Sequence, residues 1–144
     1  MSPPAPWFYW ALFSAIFAAL TAIFAKIGLE GVDSDLATLL RTVVILVVLS
    51  VFVVWMGKWT NPLSLNSKTL LFLLLSGLAT GASWVCYFRA LKLGEASQVA
   101  PVDKLSLLLV AVFAVVFLGE RPSLREWSGI ALVGAGVLVL SLKR

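Results

Sequence analysis

The chain has 144 residues, 61% of them hydrophobic and only 12% charged, with a mean hydropathy of +1.04. That composition excludes a water-soluble globular domain, and the unbroken apolar runs exclude alternating barrel strands, so the fold class is all-α and the spanning elements are helices. The net charge of +4 comes with no histidine, which removes the usual zinc ligand and leaves carboxylates as the groups open to proton coupling. No cofactor and no metal site is expected. No basic cluster with interleaved aromatics points to nucleic acid, and the lone Cys86 sits in an apolar run where packing is the plain reading.

A loop-like start, Ser2 to Pro6, leads into a nineteen-residue uncharged run closed by Lys26, which predicts a first helix over 7–25. No basic region precedes it, so it reads as a retained span and not a cleaved signal. Ala11, Ala15, Ala18, Ala22 and Ala25 fall on one small-residue face suited to close helix approach. Trp10, Ser14, Phe17 and Thr21 form a second, polar and aromatic face that could line a cavity.

Asp33, Ser34 and Asp35 are capping candidates for a second helix over 36–56, with Gly57 as its C-terminal cap. This helix reads as mostly lipid-facing. Its exception is Arg41, which either snorkels to the interface or lines an internal cavity. A polar turn follows, and Asn66-Ser67 predicts the cap of a third helix over 69–88. Ser76, Thr80, Ser83, Trp84 and Tyr87 share a face of that helix, beside a Gly77/Gly81 step that permits close backbone contact.

Arg89 and Lys92 read as the end of the third helix. Pro101 suits a first helical turn, which predicts a fourth helix over 101–118 with Ala100 as its cap. Eighteen residues give a helix of roughly 27 Å, so Asp103 and Lys104 should lie at or just inside the boundary. Neighbouring helix positions diverge by about 100°, so the two should not simply neutralise each other. Asp103 could instead pair with Arg89, Lys92 or a charge on a partner chain. Ser123 and Glu126 form a capping box that opens a fifth helix over 124–142, with Gly129 and Gly134 among its packing positions.

Five spans place the termini on opposite sides. The N-terminal side then carries Lys58, Lys68, Arg121 and Arg125, and the other side carries seven basic residues, or five without Arg41 and Lys104. So small a bias determines orientation weakly, which leaves single and dual topology both open.

Tyr87-Phe88-Arg89-Ala90-Leu91, Ala100-Pro101-Val102, Phe117-Leu118-Gly119-Glu120-Arg121, Trp127-Ser128-Gly129 and Gly134-Ala135-Gly136-Val137 occur in an order and spacing that resembles the EamA repeat of the drug/metabolite transporter superfamily. The resemblance covers essentially the whole chain, residues 1–144, as a single membrane domain. Most members resemble two five-helix repeats in tandem; this chain has one, so it resembles the short members, one half of an inverted-repeat transporter. The resemblance implies a dimer, antiparallel if the tandem architecture is kept, either a homodimer or a heterodimer with a paralogue. It also implies that the first, third and fourth helices line the cavity, in a multi-pass protein of the cell (inner) membrane.

The expected function is transport of a small metabolite or amphipathic compound by alternating access between two chains, with the bilayer and the small-molecule substrate as partners. Trp10, Ser14, Phe17, Thr21, Ser76, Thr80, Trp84 and Tyr87 would line the pathway, and Arg41, Arg89, Asp103 and Lys104 would form a charged gate or coupling site. Against these roles stand backbone bonding by Ser and Thr, interfacial anchoring by aromatics, capping by Asp103 and snorkelling by Lys104. The alternative is a non-transporting assembly or accessory subunit held by the Ala and Gly faces. An enzyme is not expected, because Ser14, Ser76 and Ser83 lack a histidine base and no span holds paired carboxylates.

Overall fold

The computed structural model describes residues 6–141. The Ser2–Ala5 part of the expected N-terminal loop, residue 142 and the terminal Lys143 and Arg144 lie outside them. Among the described residues five helices are long and apolar enough to cross a membrane: Pro6–Gly28, Ser34–Trp55, Ser67–Leu93, Ala96–Leu118 and Leu124–Ser141. The protein is an all-helical, multi-pass membrane protein. Its chain divides into two compact units, one ending at Leu93 and one beginning at Gly94.

The first unit is a three-helix layer of α1 (Pro6–Gly28), α2 (Ser34–Trp55) and α3 (Ser67–Leu93). Asp33 caps α2, accepting hydrogen bonds from the Asp35 and Leu36 amides at 2.9 and 3.1 Å, which satisfies donors the helix itself cannot pair. At the other end of α2 Gly57 turns left-handed, φ +64°. The α3 helix starts at Ser67, two residues ahead of the expected 69, with the Lys68 amide donating to Asn66 Oδ1 at 2.9 Å. It then runs past residue 88 and through Arg89 and Lys92, because those cations find acceptors on the α1–α2 connection and on α2 itself. Helix α3 packs on both α1 and α2, and Ala22, Leu29, Phe88 and Leu91 are buried there. Cys86 is exposed, so the packing reading of that residue does not hold within this chain.

The second unit departs from its expected outline. The fourth span begins at Ala96, five residues before Pro101, and is broken in two: α4 (Ala96–Asp103) and α5 (Ser106–Phe113), followed by a wider π-type turn, Ala114–Leu118. Ala96, Gln98 and Ala100 are good helix formers, so the helix nucleates ahead of the proline, and Pro101 becomes an interior residue. An interior proline removes one backbone bond and crowds the carbonyl four residues back. Just downstream the backbone tightens: the Lys104 and Leu105 amides donate to the Pro101 and Val102 carbonyls, each at 3.0 Å, three residues back and not four. The cap at Ala100 is replaced by Glu95, which caps without a side-chain hydrogen bond.

Gly119, φ +69°, closes the π-type turn by donating its amide to the Ala114 carbonyl. Ser123 and Glu126 then form the expected capping box, with the Ser123 amide 2.6 Å from Glu126 Oε2 and the Glu126 amide 3.3 Å from Ser123 Oγ. They open α6 (Leu124–Ser141), which packs on α4 and α5. Gly134 is where α6 meets α5: a Cβ added there would lie 2.8 Å from Leu108 Cδ2. The near atom is the end of a flexible side chain, so Gly134→Ala should cost little. Gly134→Leu should overpack the contact by about 1–3 kcal/mol, read as a lower thermal midpoint in detergent, whereas Gly129→Leu, where nothing lies within 4 Å, should leave the midpoint unmoved.

Candidate substrate groove and charged layer

One end of the three-helix unit is closed by a layer of charges. Asp35, the second residue of α2, takes both Nε and Nη2 of Arg89 at 2.9 and 2.6 Å, the fork geometry that suits a carboxylate. Lys92 Nζ donates to the Val32 carbonyl, and Lys26 Nζ donates to the Leu91 carbonyl at 2.8 Å. Arg89 therefore spends its charge on Asp35, not on Asp103. The pair ties α2 to α3, and Lys26 ties α1 to the end of α3.

Arg41 lies below this layer, the eighth residue of α2 and roughly 10 Å along it. Its guanidinium carbon sits 4.1 Å from the centre of the Trp84 ring and 4.8 Å from that of Phe88. These rings are one turn apart on α3, and their negative faces attract the cation. Arg41 Nε is shut away from solvent and has no hydrogen-bond partner. Its aromatic neighbours hold the guanidinium within the layer of helices.

Two open grooves flank that cation. One, about 590 Å³, runs between α2 and α3 and is lined by Asp35, Thr38, Thr42, Ser76, Thr80 and Trp84, with Gly77 and Gly81 as its floor positions. The other, about 380 Å³, is lined by Thr21, Phe24, Ala25, Ile45, Phe88 and Arg41 itself. Thr38, Thr42, Thr80 and Thr21 donate their hydroxyls to the carbonyls four residues back. What they present to a groove is thus oxygen lone pairs.

The match to the EamA-like transporter family model spans residues 5–142. This chain belongs to the EamA-like transporter family. An "uncharacterized transporter in cobO 3'region" of Sinorhizobium sp. is 57% identical over 94% of this EamA chain and 96% of its own length. The "uncharacterized transporter YvbV" of Bacillus subtilis is 30% identical over 92% of the chain, which covers only 44% of that longer protein. A protein of Yersinia pestis named a probable 4-amino-4-deoxy-L-arabinose-phosphoundecaprenol flippase subunit, ArnE, is 29% identical over 58% of the chain and 74% of its own length. No solved structure matches the chain.

Within the EamA fold the expected pathway residues divide. Ser76, Thr80 and Trp84 line the larger groove and Thr21 the smaller one. Trp10, Ser14 and Phe17 are exposed on α1 and line neither; Tyr87 is half-buried beside Phe88, their rings edge to face. Of the expected packing positions, Ala22 is buried and Ala25 half-buried, but Ala11, Ala15 and Ala18 are exposed. At Gly77 and Gly81 an added Cβ would meet nothing within 4 Å; their lack of side chains widens the groove.

Asp103 and Lys104 come together after all, with Nζ 3.4 Å from Oδ2, because the helix tightens at Lys104 and a long lysine can fold back. They lie roughly 11 Å into the fourth span, deeper than a start at Pro101 would put them. Sequence reasoning missed Thr38, Thr42 and the Asp35 partner of Arg89. The signal was there: Ser34, Thr38, Arg41 and Thr42 recur at helical spacing on α2, a polar face hidden in a helix otherwise of Val, Leu and Ile.

Proposed function

We propose that this membrane transporter carries a small metabolite or amphipathic compound across the cell (inner) membrane as a dimer, by alternating access between two copies. The observation that carries this reading is the α2–α3 groove, where threonine oxygens and Trp84 face open space between otherwise mostly apolar helices. Inverted-repeat transporters bind near the midplane between halves, with discontinuous helices nearby. The longer Bacillus subtilis relative, of which this chain covers 44%, has room for a second half. In the dimer the exposed Ala11, Ala15 and Ala18 of α1 offer a surface to the partner, and the weak charge bias permits either orientation.

The naming of the Yersinia pestis relative as a subunit favours one further reading, in which the chain works only beside an unlike partner. Proteoliposomes holding this chain alone separate the two. Exchange of radiolabelled amino acids, sugars, nucleosides and organic phosphates is scored for any compound that is carried. For such a compound, Trp84→Ala should reduce flux about tenfold, as expected for the loss of one aromatic contact. Thr80→Val should cost less than about threefold, since its hydroxyl hydrogen is already given to the Ser76 carbonyl. Trp55, 81% exposed at the end of α2, serves as control. Equal flux from Trp84→Ala and Trp55→Ala would move the pathway elsewhere, and no flux of any compound would favour the unlike partner.

A further inference from the structure

We infer that Arg41 is the binding site for an anionic group, so that the compound this transporter takes is an amphipathic anion: a carboxylate or phosphate on an apolar body. The inference rests on the transporter reading and adds the charge of the substrate to it.

The three cations of the charged layer each have an oxygen to bind: Arg89 has Asp35, Lys92 has the Val32 carbonyl and Lys26 has the Leu91 carbonyl. Arg41, deeper than all three, has no oxygen acceptor among the described residues. A guanidinium at membrane depth is costly to maintain, and the two rings answer only its π faces. Its in-plane donors are a planar fork made for the paired oxygens of a carboxylate or phosphate. Nε is covered by protein and unbonded, so the groove that Arg41 lines leaves the terminal nitrogens of the fork as the edge an arriving anion would meet.

The surroundings define the rest of the ligand. Phe24, Ala25, Ile45 and Phe88 make the smaller groove largely apolar, and Thr21 and Arg41 are its polar groups. No carboxylate lines it, so nothing there competes for Arg41 or favours a cation. Lysine would serve less well, because its point charge does not stack on Trp84 or present two parallel donors. An apolar trough with one forked cation accepts an alkyl or aromatic body with an anionic end. Such an anion could be a soluble amphiphile or the headgroup of an anionic lipid, and the test separates them.

The full chain, purified in an uncharged alkyl maltoside, is titrated calorimetrically with octyl phosphate, octyltrimethylammonium, inorganic phosphate and mixed micelles containing phosphatidylglycerol. Saturable binding of octyl phosphate but not of octyltrimethylammonium is expected. Arg41→Gln should weaken it about tenfold or more, as for loss of a charge-assisted hydrogen bond, and Arg41→Lys should weaken it less. Saturation by phosphatidylglycerol micelles would identify a lipid headgroup; binding of octyl phosphate alone, a soluble amphiphile; and either one supports the anion site. Equal binding of the two octyl amphiphiles by the wild-type chain, a result that needs no variant to fold, overturns it. So does unchanged octyl phosphate binding in Arg41→Gln. Flux is read separately: Arg41-dependent binding without flux would sink transport by two copies of this chain alone, whereas flux of uncharged or cationic compounds that Arg41→Gln leaves intact would sink the anion site alone.

Discussion

Leu91→Ala is expected to destabilise the three-helix unit by about 2–5 kcal/mol, while Leu78→Ala on the same helix changes it by less than about 0.5 kcal/mol. Leu91 is 0% exposed, and Leu78 is 64% exposed. In a bilayer the two truncations differ in what refills the space. Lipid chains close over a shortened exposed side chain, but nothing enters the void left by a buried one, so its neighbours lose their dispersion contacts outright. The backbone adds to the effect, since the Leu91 carbonyl accepts the Lys26 ammonium and any relaxation of α3 into the cavity strains that contact. Leu91→Met, similar in volume, should cost less than about 1.5 kcal/mol. Denaturation of the three variants in mixed micelles of neutral and ionic detergent reads the order directly. Equal losses at Leu91 and Leu78 would mean that the end of α3 is not a packed core.

The five spans were legible because uncharged runs of membrane length leave few alternatives. Their ends were not, and the reason is the same at α3 and at the fourth span. Arg89 and Lys92 look like a boundary in sequence, since a cation in an apolar run is costly until its partner is known. Asp35 is 54 residues away from Arg89, and periodicity within one helix cannot report it. Pro101 looks like a helix start for an equally local reason, yet the residues before it form helix well enough to carry the start upstream.

The candidate site divides along the same line. Helical spacing groups Ser76, Thr80 and Trp84 on one face and Trp10, Ser14 and Phe17 on another. Which face meets a neighbour is a property of packing, and here α2 turns its Ser34–Thr38–Thr42 side to α3 while most of the α1 stripe stays exposed. Arg41 was conspicuous from the start, as a charge inside an apolar helix. What the fold supplies is the pair of rings that hold it.

Asp103→Asn should destabilise the second unit by about 2–3 kcal/mol, and Lys104→Gln by a similar amount, because each leaves an unpaired charge roughly 11 Å into a span. The double variant should regain most of that loss. The physical ground is the 3.4 Å contact: a pair in low dielectric is worth little against two neutral groups, but either half alone is expensive. Stability alone therefore does not distinguish a structural pair from a gate, and flux of a carried compound does. If the pair only satisfies its own charges, the double variant should transport like wild type once it is as stable. If the break in the fourth span works as a charged gate or coupling site, the double variant should be folded and stable yet transport poorly, and Asp103→Asn should lose pH-driven uptake. The second result is the one expected here. Pro101 removes a backbone hydrogen bond two residues before the pair, and charges held roughly 11 Å into a span cost stability that neutral residues there would not.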